Sequence, residues 1–135
     1  MTQLRATLFL ALLVNLSWSS YSLAQQELTT LTTARGYRLQ IFSELLPLEI
    51  NHIHSWELLL TDATGAVVSE PDIQVSGGMP DHDHGMPTLP RITRTLDNGR
   101  LLLQGVRFHM PGYWQLLFEI KTDHGSDSAE FNFTL

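Results

Sequence analysis

Residues Gly105–Ile120 read GVRFHMPGYWQLLFEI, and the second half of this run decides the fold. Trp114, Leu116, Phe118 and Ile120 alternate with Gln115 and Glu119. That is the period of a strand with one face in a core and the other in water. Pro111-Gly112, immediately before it, supplies the dihedrals of a tight turn.

The same period recurs on both sides. Tyr37, Leu39 and Ile41 alternate with Arg38 and Gln40; Trp56, Leu58 and Leu60 share a parity; so do Leu102, Val106 and Phe108; and Phe131, Phe133 and Leu135 alternate with Asn132 and Thr134. Turn signals separate the runs at Asp62–Gly65, Asp97-Asn98-Gly99, Pro111-Gly112 and Asp123–Ser126. Short amphipathic strands at this spacing predict an all-β domain of about seven strands in two packed antiparallel sheets. No stretch of this part of the chain carries a helical stripe long enough to matter.

Turn chemistry then predicts register. Asn98-Gly99 is a two-residue hairpin signal, which sets Asp97 against Arg100 and Leu96 against Leu101. Continued at a constant index sum, the pairing brings Leu89 to Phe108 and Pro87 to Met110. A four-residue turn at Asp62–Gly65 would likewise set His54 against Ile73 and His52 against Val75. On this reckoning His52, His54, His82, His84 and His109 gather at one end of the domain with Met79, Met86 and Met110, while His124 lies at the other.

The segment Gly77–Pro90, GGMPDHDHGMPTLP, stands apart from the strands. Its glycines permit unusual backbone angles, and Pro80, Pro87 and Pro90 each remove a ladder donor, so a sharply bent loop is expected with no central strand in it. The loop is rich in metal-ligand side chains. Thioether prefers Cu(I), imidazole serves copper in both states and zinc, and a His/Met set without cysteine points to copper first and zinc second. His82 and His84 are the leading candidates, with Met79, Met86 and Met110; behind them stand His109, Asp83, His52 and His54. Because neighbours on a strand point opposite ways, His109 and Met110 are not expected to share an ion, and Met110, which abuts the turn, is preferred. Each residue also has a plainer reading. The histidines can fasten the loop through hydrogen bonds, the methionines can fill gaps in the core, and His52 and His54, which share the parity of Trp56, can be partly buried structural residues.

Composition narrows the function further. The chain has 135 residues, a net charge of −6 with neutral histidines, and no cysteine. An acidic chain without a basic stripe is not a nucleic-acid binder. Arg5, the apolar run Ala6–Leu16 and Ser22-Leu23-Ala24 compose a cleavable export signal over residues 1–24, too short in its apolar part to span a bilayer. Residues 25–35 then read as a flexible leader and 36–135 as one domain, soluble and periplasmic or secreted, with no membrane insertion once the signal is removed. Neither a nucleophile elbow nor a phosphate loop is present, and Met-rich surroundings are the wrong softness for a hydrolytic zinc, so an enzyme is not expected.

Two motifs, the loop GGMPDHDHGMP and the turn Met110-Pro111-Gly112-Tyr113-Trp114, resemble the YtkA-like domain, an exported bacterial β-sandwich related to FixH-like proteins. The resemblance covers roughly residues 36–121. It implies an immunoglobulin-like sandwich and suggests metal handling; Asp83 departs from it, standing where a small residue is usual. The expected function is thus a periplasmic copper-binding carrier or accessory domain that serves an envelope acceptor or transporter. The alternative is a metal-free interaction module in envelope protein or oxidase assembly.

Overall fold

The computed structural model describes residues 25–135, so the expected signal sequence lies outside the described residues. These residues form an immunoglobulin-like β-sandwich of two antiparallel sheets. The strands are β1 (Gln26–Thr32), β2 (Arg38–Ser43), β3 (His54–Thr61), β4 (Asp72–Met79), β5 (His84–Gly85), β6 (Arg91–Thr95), β7 (Leu101–Val106), β8 (Tyr113–Thr122) and β9 (Gly125–Thr134). One sheet runs β1-β2-β3-β7-β6 and the other β5-β4-β8-β9. The described residues form nine strands rather than about seven, the additions being the two-residue β5 and the edge strand β1.

β1 corrects one expectation. The Thr-rich segment taken for a flexible leader pairs with β2 from Gln26↔Ser43 to Thr32↔Arg38. Leu28 and Leu31 pack against the core, and that apolar contact, added to the good strand propensity of threonine, fixes it.

The core follows from the parities. Leu39, Ile41, Trp56, Leu58, Trp114, Leu116, Phe118 and Ile120 are fully buried. β7 departs from its expected parity: Leu101 and Leu103 are buried, Leu102 only half so, and Val106 and Phe108 point inward again. Gly105 explains the switch. It sits at φ +85° in a bulge where β3 pairs Ser55 with Gln104 and His54 with Val106, and one extra residue reverses which side chains face in.

Register differs at both expected hairpins. The Asn98-Gly99 turn has a three-residue loop: the Leu96 amide donates to the Arg100 carbonyl at 2.7 Å, and Gly99 lies at φ +79°. Thr95 therefore faces Leu101, and a second shift between Ile92 and Arg94 sets Arg91 against Gln104. Leu89 and Pro87 do not reach Phe108 and Met110. Phe108 instead bridges Ile50 in parallel. Asp62–Ala66 does close a turn, with Val68 bonded back to Leu60, but the chain then crosses to the other sheet. β4 pairs with β8 from Asp72↔Lys121 to Gly78↔Gln115, so His54 stands opposite Val106 and not Ile73.

Gly77–Met79 also differ from the loop reading, because they are the end of β4 and have β8 on one side and β5 on the other. The glycines are there for closeness. A Cβ on Gly77 would stand 2.3 Å from the Gln115 carbonyl oxygen, and one on Gly78 the same distance from that of His84. Real Cβ atoms do not tolerate such contacts, and glycine is the residue that lets backbones approach this near.

A candidate metal seat at the mouth of the sandwich

After Met79 the chain makes one 3-10 turn, Pro80–His82, closed by Asp83 in the left-handed region at φ 51°. β5 then returns alongside β4, with Met79 opposite His84 and Gly78 opposite Gly85. The Met86 amide continues this pairing by donating to the Gly77 carbonyl at 3.0 Å. Residues directly opposite in an antiparallel pair project to the same face. Met79 is 1% exposed, so His84 shares the core-facing side and stands over its open end.

His109 comes to it from the connection between β7 and β8. The His84 and His109 ring centroids lie 4.9 Å apart, and His82 stacks on the far side of His84 at 5.8 Å. Behind His109 the Trp114 indole stands edge-on at 5.7 Å. The indole is anchored in turn: its Nε1 donates to the Met110 carbonyl at 3.1 Å, and its ring meets Phe108 at 5.1 Å. His109 is thus held by a rigid wall.

The nitrogens are unequally committed. His84 Nδ1 lies 3.2 Å from the Gly85 carbonyl oxygen, so that nitrogen carries the proton and Nε2 keeps its lone pair free. His109 Nδ1 is buried with no hydrogen-bond partner. An orphaned buried nitrogen costs about 1–3 kcal/mol, and a ligand that fills it recovers that cost.

The other expected ligands are packed against the core or exposed to solvent. Met79 is a core residue, and Met86 and Met110 are half-buried and pack against the core. The ring of His109, the less favoured of the pair His109-Met110, stands beside His84. Asp83 is exposed on the turn. His52 is exposed, with Nδ1 3.6 Å from Glu49. His54 is buried between Trp56 and Phe108, its ring about 6 Å from each. Its Nδ1 meets the His52 carbonyl at 3.0 Å while Nε2 is unpartnered, and burial lowers its pKa below the ordinary 6.5. Five histidines do share one end, and His124 lies at the other, where its carbonyl accepts from Arg35.

Beside the seat, on the outer face of the second sheet, a groove of about 430 Å³ opens over Gly78 between Pro80, Asp83 and His84 on one side and Leu117 and Glu130 on the other. Sequence reading missed it, although the Gly77-Gly78 pair was its signal, since a strand without side chains leaves a hollow.

Among the described residues, no group of three or more His, Asp or Glu side chains stands ready to hold a metal ion as it is. Nor is any helix there long and apolar enough to cross a membrane. No family model, curated protein or solved structure matches this chain.

Proposed function

We propose that this protein is an exported, periplasmic copper-binding carrier that holds its ion at the mouth of the sandwich and passes it to an envelope acceptor. One observation carries the reading: the buried, unpartnered Nδ1 of His109, beside a second imidazole 4.9 Å away. With metal–nitrogen bonds of about 2.0–2.1 Å, two imidazoles on one tetrahedral ion hold their ring centroids roughly 5 Å apart. His84 and His109 have that spacing. His82, at 5.8 Å from His84 and nearly parallel to it, has to turn toward the same point. It is exposed on a single 3-10 turn, where such a rotation meets little resistance.

A seat with three protein ligands leaves a coordination position open, through which an acceptor's donor atom enters and takes the ion by exchange. No nucleophile stands at the seat, and the role proposed is carriage without catalysis. The two short motifs support kinship with the YtkA-like domain, and the sandwich is the fold that kinship implies.

The outer groove favours a second reading, a docking surface for another envelope protein with the histidines serving as contacts. Copper titration of residues 25–135, followed by native mass spectrometry, separates the two. One ion per chain, lost in His84→Ala with His109→Ala, is the carrier's result; binding no tighter than about micromolar leaves the docking surface.

A further inference from the structure

Resting on that copper reading, we infer that the seat is built from nitrogen alone, so that its cargo is a borderline divalent ion, Cu(II) before Zn(II), and that the methionines frame the seat without binding. Affinity for a fixed set of nitrogen ligands rises to a maximum at Cu(II) and falls at Zn(II), whereas Cu(I) is selected by soft sulfur. Three imidazoles lie in sequence at the mouth, while each methionine has a packing role.

Met79 is 1% exposed, and its terminal methyl fills the space over Gly112, where a Cβ would meet it at 2.7 Å. Met110 is half-buried against the core and lends its carbonyl to the Trp114 indole. Met86 is half-buried against the same cluster, and its amide is bonded to Gly77. For these sulfurs to gather on one ion, packed side chains would have to leave the core, with transfer and cavity penalties for each. Turning exposed His82 has no comparable penalty. The His109 nitrogen adds to this, since Nδ1 has no hydrogen-bond partner to give up and its ring already stands 4.9 Å from that of His84.

The test uses residues 25–135 with Cu(II), Zn(II) and Cu(I) supplied separately against competing chelators. Trp114 serves as the internal reporter, because its edge contact with His109 puts it within quenching range of paramagnetic Cu(II). The expected result is submicromolar Cu(II) binding, weaker Zn(II) binding and still weaker Cu(I) binding. Cu(II) affinity should fall at least about tenfold in His109→Ala and stay within about twofold in Met86→Leu with Met110→Leu. Since core variants can misfold, electron paramagnetic resonance of the Cu(II)-loaded wild type gives an independent answer; it should show nitrogen hyperfine structure and no sulfur ligation. Cu(I) bound more tightly than Cu(II), and lost on the methionine changes, overturns the nitrogen-only seat but keeps the carrier. Absence of submicromolar binding for all three ions overturns both.

Discussion

The backbone of Gly78 approaches His84 so closely that a Cβ at position 78 would lie 2.3 Å from the His84 carbonyl oxygen and 2.8 Å from the Gly85 Cα. A ligand candidate on a two-residue strand is therefore positioned by the absence of a side chain at Gly78, the neighbour of its own partner Met79. Gly78→Ala should push β5 away from β4 and carry His84 from His109. Copper affinity should drop about 10- to 100-fold, the range associated with removing the support of a metal ligand. Gly85→Ala is the control, because its Cβ would meet only the Gly77 carbonyl oxygen at 3.5 Å, an ordinary contact. Equal binding by both variants and wild type would show that this approach does not position the ligand.

Gly99 tests the three-residue hairpin. At φ +79° with its nearest Cβ neighbour, a Val67 methyl carbon, 3.6 Å away, its constraint is conformational and not steric crowding. Gly99→Val should destabilise the domain by about 1–3 kcal/mol. Gly99→Asn should lose less, because asparagine enters the left-handed region more readily. Chemical denaturation of the two variants would sink the assignment if valine and asparagine behaved alike.

Trp114 joins core to seat. Fully buried, it should cost about 3–5 kcal/mol on replacement by alanine. Trp114→Phe keeps an aromatic wall but removes the donor to the Met110 carbonyl, and should cost about 1–3 kcal/mol with a visible change in His109 ring chemical shifts. A His109 signal unmoved by the phenylalanine substitution would contradict the edge contact.

His54 gives the domain a pH dependence of known sign. Burial holds its folded pKa below the ordinary value of 6.5, so the unfolded chain takes up a proton first as pH falls. Stability is full above 6.5 and declines below it, down through the lowered folded pKa. His54→Phe, which keeps a ring between Trp56 and Phe108, should flatten that decline. Melting temperatures of both proteins between pH 7 and pH 5 measure it; parallel slopes would assign the effect to other groups.

The sheets were legible because burial acts on every second residue. Trp114, Leu116, Phe118 and Ile120 occupy one face of β8 and all are buried, and no tertiary detail changes that pattern. Register was not legible. It turned on whether the Asn98-Gly99 turn holds two residues or three, and on a bulge at Gly105, both settled by how β7 fits between β3 and β6. The crossing of β4 to the second sheet was equally hidden, since Asp62–Gly65 is a good local turn whichever sheet follows it.

The gathering of histidines was reached from pairings that do not occur. It holds because His54, Phe108 and the β7–β8 connection meet at the same end by other routes. Which side chain of His109-Met110 faces His84 depended on the geometry after a bulge, and parity alone does not carry through an irregular connection.

β5 contributes only His84 and Gly85 to its sheet, whereas His109 rests on an indole fixed in the core. One jaw of the seat is therefore a short flap and the other an anvil. Opening the flap breaks few main-chain bonds and leaves the sandwich intact, so in hydrogen exchange the amides of Gly85 and Met86 should belong to a fast, local class while those of β8 exchange only on global unfolding. An ion clasped between the jaws would move Gly85 and Met86 into the slow class, and release of cargo would proceed at the rate of flap opening.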